Sequence, residues 1–183
     1  MLYKWNWPIN KWLLAGAIAL ATPIGAPAFA TGVPEVESRL NNPAPIGQAR
    51  VRWLGISLYQ ASLFTPSGSP FDWSQPFALR LDYDQDIDGG RLISTTIKEM
   101  RRMEGARDDH TDIATKLTAC FRDVRDGDRY VALAQGRDRI GFWLNGTQVC
   151  DLRHEGIRER LLGIWLSEKS RMPNLTRQLR GGQ

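Results

Sequence analysis

Three short apolar runs, separated by turn residues, form the most regular pattern in the chain. They occupy residues 130–134, 140–144 and 147–152. The last two runs are joined by Asn145-Gly146, the dipeptide that best accepts the positive φ angles at both central positions of a type I′ hairpin turn. The pattern therefore predicts three consecutive antiparallel strands, a β-meander.

Two earlier segments also have strand patterns. Residues 48–64 carry apolar side chains on both faces, which is typical of a central strand covered on both sides. A break near Gly55 makes this segment either two strands or one long bent strand. Residues 77–83 alternate cleanly: Phe77, Leu79, Leu81 and Tyr83 point one way, and Ala78, Arg80 and Asp82 point the other.

Helical periodicity appears on either side of the meander. Residues 91–103 place their apolar side chains on one helical face, and Asp88 is the expected N-cap. Further helices are predicted to begin near Asp109 or Thr111, to cover residues 155–166, and to start at Pro173. Antiparallel strands, two helices, more strands and further helices together predict an α+β domain.

The first thirty residues differ in composition from the rest. Lys4 and Lys11 precede an apolar run at residues 12–21, and a small-residue site ends at Ala30, as in a secretory signal peptide. The run is shorter than the roughly 20 residues that span a bilayer, and an uncleaved N-terminal anchor is the alternative. No cysteine follows the run, so no lipid anchor is predicted there. We expect cleavage after Ala30, no stable membrane anchor afterwards, and a periplasmic or secreted protein.

The remainder is predicted to hold an extended segment at residues 31–45 and one domain at residues 46–183. The chain has 183 residues, of which 42% are hydrophobic and 24% charged, an ordinary globular composition. Removal of the leader takes away two lysines and no acidic residue, so the remaining net charge is only slightly positive. Arginines are interspersed with aspartates rather than clustered, which argues against nucleic-acid binding.

Two cysteines, Cys120 and Cys150, lie in the predicted exported part. In an oxidising compartment they could form one disulfide between the end of a helix and the last meander strand. Such a loop of about 30 residues would stabilise the fold by roughly 3–4 kcal/mol in the chain-entropy model. Two buried free thiols, which behave as small hydrophobic side chains, are the alternative.

No motif for a metal, a cofactor or a catalytic group is complete. Residues 84–89 are similar to the first half of a calcium-binding loop, but Thr95 occupies the position where such a loop has its bidentate acidic residue. Helix capping explains the same aspartates. His154 lacks a second histidine one turn later. No glycine-rich phosphate loop or Gly-x-Ser-x-Gly elbow occurs. The sequence predicts no metal and no cofactor, and it assigns no catalytic residue.

Aromatic side chains are spread over the predicted strands and helices. A ligand cavity lined by aromatic residues and a well-filled core both explain them, provided that each indole N–H finds a partner. The set is Trp53, Tyr59, Trp73, Tyr83, Phe142, Trp143 and Trp165.

Several stretches, taken in order, resemble the chalcone isomerase-like family in its bacterial exported branch, and together they span residues 46–180. The carriers are Ile46-Gly47, Arg50-Val51-Arg52, Leu54-Gly55-Ile56, Leu58-Tyr59-Gln60-Ala61, Leu81-Asp82-Tyr83, Gly127-Asp128, Asn145-Gly146, Leu162-Gly163-Ile164-Trp165-Leu166 and Pro173-Asn174-Leu175. The resemblance implies an open-faced β-sandwich, in which an antiparallel sheet carries helices on one face with a cleft between them.

Enzymes of this family bind an oxyanion with an arginine, and they order water and the ketone with a lysine, a tyrosine and a threonine. With Tyr59 as the anchor of the comparison, the arginine position falls near Asn42, the threonine position at Leu54 and the tyrosine position near Leu92. These changes remove the charged group and the polar network together. The resemblance therefore implies a member without the flavanone-forming activity.

Fatty-acid-binding members of the family hold the carboxylate with an arginine and a tyrosine. Arg80, Tyr83 and Arg91 lie in the comparable region and, with Tyr59, are the candidate ligand-binding residues, although strand alternation puts Arg80 and Tyr83 on opposite faces. The leading hypothesis is an exported, non-catalytic protein that binds a small apolar or amphipathic molecule, fatty acid- or flavonoid-like. The alternatives are an isomerase or lyase that uses Tyr59, Tyr83 and Arg91, and an envelope interaction protein with a closed core.

Overall fold

A computed structural model describes residues 32–182, in which six strands form one antiparallel sheet with the order β1-β2-β3-β4-β5-β6. The strands are β1 (Pro43–Trp53), β2 (Ile56–Pro66), β3 (Phe77–Tyr83), β4 (Arg129–Gly136), β5 (Arg139–Leu144) and β6 (Thr147–Arg153). The break predicted near Gly55 separates β1 from β2, and the predicted meander is β4 to β6. Each strand pairs with the next strand in sequence. Strands are connected by hairpins or loops, except that α1 and α2 connect β3 to β4.

The helices follow the predicted pattern closely. They are α1 (Gly89–Glu104), α2 (His110–Cys120), α3 (Ile157–Leu166) and α4 (Pro173–Leu179). Asp88 caps α1, because its side chain accepts a hydrogen bond from the Arg91 backbone N–H at 3.0 Å. Arg160 on α3 donates to Glu104 at the end of α1 and to Asp109 before α2, each at 2.8 Å. This charged group ties three helices together on one side of the sheet.

The main core lies between the sheet and the four helices. Alternate residues of each strand point into it, as the alternation of residues 77–83 predicts. Leu63 and Leu79 from the sheet, with Met100 from α1 and Leu161 from α3, are almost fully removed from solvent. Burial of a side chain of this size contributes roughly 1.5–3 kcal/mol, so this layer supplies most of the driving force for folding.

The predicted extended segment at residues 31–45 is wrong for its central part. Pro34–Arg39 forms a 3-10 helix, and β1 already begins at Pro43. Pro34 occupies the first turn, where its missing N–H costs nothing. Val36 and Leu40 are buried on the sheet face opposite the α-helices. That contact, made with the outer sides of β2 to β5, favours the helical turn over an extended chain.

The inference of one central strand covered on both faces is also only partly right. β1 is an edge strand, since it pairs with β2 alone. Its outward residue Arg50 is exposed and donates to Gln60 of β2 at 2.9 Å. β2 is covered on both sides only towards its end, where Leu63 faces the helices and Phe64 faces the 3-10 helix.

Cys120 and Cys150 form a disulfide, with their Cα atoms 5.0 Å apart. The bond joins the last residue of α2 to β6, so it fixes the helical layer to the far edge of the sheet. The alternative of two free thiols does not apply in this structure. The predicted signal peptide, residues 1–30, lies outside the described residues.

The acidic loop after β3 is used for turns and capping. Asp84 accepts a hydrogen bond from the Ser57 hydroxyl, and Asp86 accepts one from the Asp126 backbone N–H. Between residues 32 and 182, no three His, Cys, Asp or Glu side chains are grouped closely enough to hold a metal ion. The helix-capping interpretation therefore accounts for the loop, with Asp88 as the cap described above.

Candidate functional site

Tyr59 and Tyr83 meet at one end of the sheet, on the face that carries the helices. They are direct partners in the register of β2 and β3, and their ring centroids are 5.5 Å apart. The indole N–H of Trp165 on α3 donates to the Tyr59 hydroxyl at 3.0 Å. The sequence named both tyrosines as candidate ligand-binding residues, and the structure brings them together with Trp165, a member of the aromatic set.

Burial determines the protonation state of this pair. Removal from water raises the pKa of Tyr59 to about 12, although the hydrogen bond from Trp165 lowers it slightly. Burial also raises the pKa of Tyr83 far above its ordinary value, and the neighbouring Tyr59 and Tyr130 add to that shift. Both phenols are therefore neutral at pH 7. They can form hydrogen bonds, but neither supplies an anionic base.

The two arginine candidates lie elsewhere. Arg80 is on the outer face of β3, where it forms an ion pair with Asp82 at 2.7 Å and donates to the Gly32 carbonyl at 3.0 Å. Arg91 is exposed in the first turn of α1. The structure thus places Arg80 on the opposite side of the sheet from Tyr83, as the strand alternation predicts, and it does not assemble the four candidates into one site.

A depression between α1 and α2 was not anticipated from the sequence. It is open to solvent, has a volume of about 500 Å³, and has an apolar floor made by Ile93, Ile97 and Ala114. Lys98 and Arg101 stand on its rim, and neither forms an ion pair with another residue in the described part of the chain. The arrangement offers an apolar surface next to two cations, which suits an amphipathic anion.

A signal for this depression exists in α1. Ile93 and Ile97 are four residues apart and form an apolar ridge on α1, in which Ile97 belongs to the main core and Ile93 packs against it. Helical periodicity alone assigns such a ridge to the core. Only the position of α2, which leaves the ridge partly uncovered, turns it into a surface feature.

A second depression, of about 460 Å³, lies beside the loop between β2 and β3. Phe71 and Trp73 form its wall, with their ring centroids 5.0 Å apart. Arg180 lies over the Phe71 ring and is already paired with Glu168 at 2.9 Å. Because its cation is engaged, this depression is less suited to a carboxylate than the one on α1.

The aromatic residues do not line one common cavity. Trp143 packs on the outer face with the 3-10 helix, and the guanidinium group of Arg39 lies 5.3 Å from the centroid of its ring. Trp53 is exposed at the turn between β1 and β2. Tyr59, Tyr83 and Phe142 belong to the main core or pack against it. The members of the set that face the helices pack in a filled core, as one alternative predicted. Trp53 is exposed and belongs to neither a core nor a cavity.

The architecture is similar to that of a solved protein structure. A fatty-acid binding protein of Arabidopsis thaliana, AtFAP1, superposes with a TM-score of 0.58 over 76% of this chain and 87% of its own, at 9% sequence identity. The chain has the chalcone isomerase-like fold. The open-faced architecture predicted by the resemblance is therefore confirmed. No protein-family model matches the sequence, and no curated protein matches it.

Within this fold, the positions compared with the polar set of the enzymes do not converge. Asn42 precedes β1 and Leu54 follows it, so the 11 residues of that strand separate them. Leu92 is a partly buried residue of α1. None of these side chains can carry charge.

Across residues 32–182, no helix has both the length and the apolar character needed to cross a bilayer.

Proposed function

We propose that this protein binds a small amphipathic carboxylate, such as a fatty acid, without catalysing a reaction. The observation that carries the proposal is the depression between α1 and α2, where an apolar floor adjoins Lys98 and Arg101, two cations that form no ion pair within residues 32–182. Its volume is within the usual range for small-molecule sites, about 300–1,000 Å³. The fatty-acid binding of the structurally similar AtFAP1 supports the choice of ligand class.

The ligand would lie with its chain on the isoleucine ridge and its carboxylate between the two cations. Each buried methylene contributes about 0.8 kcal/mol, and hydrogen bonds between a carboxylate and a cationic group are about twice as strong as neutral ones. Arg91 lies seven residues before Lys98, two turns earlier on the same side of α1, and would extend the cationic rim. Tyr59 and Tyr83 are not among the residues that line this depression. Arg80 has no part in this site, because it lies on the outer face.

The proposal of a non-catalytic protein is supported by the protonation states and placement of the residues that the isomerase alternative would use. A base for enolate or phenolate chemistry must lose its proton near neutral pH, whereas burial raises the pKa of both tyrosines. Arg91 is exposed at the start of α1, away from that pair. Turnover of a chalcone, abolished by Arg91→Ala, would contradict the proposal and support the isomerase alternative.

Calorimetry with laurate and delipidated protein tests the proposed site. We expect the double variant Lys98→Gln/Arg101→Gln to bind laurate at least about tenfold more weakly, because two charge-assisted contacts are lost. Arg102→Gln is the matched control, since Arg102 is adjacent on α1 but paired with Glu99 at 2.7 Å. Its affinity should equal that of the wild type. Failure of the wild type to bind laurate and flavonoids would refute the proposal.

A second candidate is an interaction protein with a closed core. The specific observation is that Leu63, Leu79, Met100 and Leu161 fill the space between sheet and helices with almost no exposed surface. Side chains buried to this extent suit a closed core at the place where the resemblance implies a cleft. Laurate binding that depends on Lys98 and Arg101 would favour the ligand-binding protein. A complete lack of small-molecule binding would favour the closed-core protein.

We also propose that the protein acts outside the cytoplasm, as a member of the exported branch that the sequence resembles. The disulfide supports this location, because such bonds persist in oxidising compartments. N-terminal sequencing of protein from the periplasm or medium should begin at Thr31. A chain recovered only from the cytoplasm with its leader intact would contradict this.

A further inference from the structure

The turn between β1 and β2 exposes three large apolar side chains. Trp53, Leu54 and Ile56 are 67%, 87% and 56% exposed, and they are the large hydrophobic residues that stand out at the surface of residues 32–182. Trp53 and Ile56 are register partners, with Leu54 between them in the turn. Together they form one continuous apolar tip, called here the hairpin tip.

The hairpin tip projects beyond the rest of the sheet. Pairing of β2 with β3 ends at Tyr59 and Tyr83, whereas pairing of β1 with β2 continues to Trp53 and Ile56. Three more residues at about 3.3 Å each extend the hairpin by roughly 10 Å. Asp84 of the loop after β3 contacts the hairpin as far as Ser57, so the turn with Trp53, Leu54 and Ile56 is its free end. Apolar side chains of this kind enter a bilayer interface to a depth of about 5–10 Å.

The backbone of the tip is poorly suited to its leucine. Leu54 and Gly55 have φ angles of 48° and 84°, nearly the same as the 50° and 83° of Asn145 and Gly146 in the second hairpin. Asparagine tolerates positive φ well, and leucine does not. Leu54 therefore costs stability at its position and makes no buried contact in return. No packing contact within residues 32–182 accounts for this exposed side chain.

Two arginines lie just before the tip on β1. From Leu40 to Phe71 the sequence has no acidic residue, and its two charged residues are Arg50 and Arg52, just before the tip on β1. Asp84 lies behind the tip, where its backbone N–H donates to Leu58 and its carboxylate accepts from Ser57. A surface that approaches the tip meets the indole, leucine and isoleucine side chains first, and the two guanidinium groups and the Asp84 carboxylate lie behind them.

We propose that the hairpin tip docks this protein onto the surface of an anionic lipid bilayer. Tryptophan favours the bilayer interface, and cations next to it attract anionic headgroups. A stable dimer needs about 800 Å² from each partner, far more than three side chains on a convex turn provide, which argues against a second copy as the occupant. The contact is peripheral and reversible, and it goes beyond ligand binding because it requires no bound ligand.

Co-sedimentation with vesicles tests the proposal. We expect the protein to bind vesicles of equal parts phosphatidylglycerol and phosphatidylcholine, and to bind pure phosphatidylcholine several-fold more weakly. Leu54→Asn should reduce binding at least about tenfold, because one buried leucine is lost from the interface. The same variant should unfold at an equal or higher temperature, because asparagine fits the turn. Opposite changes in binding and stability separate docking from a structural role.

Two controls make the result specific to the tip. Arg52→Gln should weaken binding to the anionic vesicles, whereas Arg137→Gln should not, because Arg137 lies in the β4–β5 turn at the other end of the sheet. Brominated lipid should quench the tryptophan fluorescence of the wild type more than that of Trp53→Phe. Both proteins share the same N-terminal segment, so the difference between them reports on Trp53. Unchanged binding by Leu54→Asn with equal quenching in both proteins would overturn the proposal. A wild-type dimer that Leu54→Asn converts to a monomer would overturn it too, in favour of a second copy.

Discussion

The Tyr59 hydroxyl accepts a hydrogen bond from the indole N–H of Trp165 across 3.0 Å, which connects β2 to α3 over 106 residues of sequence. This contact joins β2 to the helical layer. Removal of the acceptor would leave the partly buried indole N–H without this partner, and a donor left unsatisfied costs up to about 1–3 kcal/mol.

We expect Tyr59→Phe to lower the free energy of unfolding by about 1–2 kcal/mol in urea titrations. The same substitution should cost less in a Trp165→Phe background, because the donor is already absent. An equal cost in both backgrounds would show that the hydrogen bond contributes nothing measurable. Laurate affinity should be unchanged in Tyr59→Phe if the ligand lies between α1 and α2. A loss of affinity would move the site to the tyrosine pair.

Local sequence signals account for much of the fold. Asn145-Gly146 predicts the β5–β6 hairpin, because positive φ restricts these positions to few residue types. The break near Gly55 marks the turn between β1 and β2, although the pattern also allowed one long bent strand. Asp88 predicts the start of α1, because its side chain satisfies a free backbone N–H there. These features depend on neighbouring residues, and so the sequence reveals them.

Features that depend on distant residues escape this kind of prediction. Residues 34–39 contain no strong helical pattern, and their helical turn follows from the burial of Val36 against β-strands far along the chain. Trp53 and Leu54 have the composition of a buried strand, yet the hairpin extends past its neighbours and leaves them in solvent. Lys98 resembles any solvent-facing helix residue until α2 is placed beside it.

Alkaline pH should destabilise the protein through its buried tyrosines. The pKa of Tyr59 is raised by burial from 10.0 to about 12 in the folded state, and the unfolded state retains the ordinary value. The folded state therefore holds its proton where the unfolded state loses it. The stability is fully present below about pH 10 and is lost as the pH rises towards 12, with Tyr83 extending the loss further.

The measurement is urea unfolding at increasing pH, with tyrosinate absorbance as an independent record of ionisation. We expect Tyr59→Phe to lose less stability than the wild type between about pH 10 and 12, because the substituted ring has no proton to release. Identical pH profiles for the two proteins would mean that Tyr59 ionises as freely in the folded state as in the unfolded chain.

Reduction of the disulfide should loosen the attachment of α2 to β6. Cys120 and Cys150 are 30 residues apart in sequence, and opening a loop of this length costs about 3–4 kcal/mol in the chain-entropy model. We expect dithiothreitol to lower the free energy of unfolding of the wild type by an amount of this order. Cys120→Ala/Cys150→Ala is the control, and its stability should not respond to dithiothreitol. If thiol titration finds both cysteines reduced while stability is unchanged, packing alone holds α2 against the sheet.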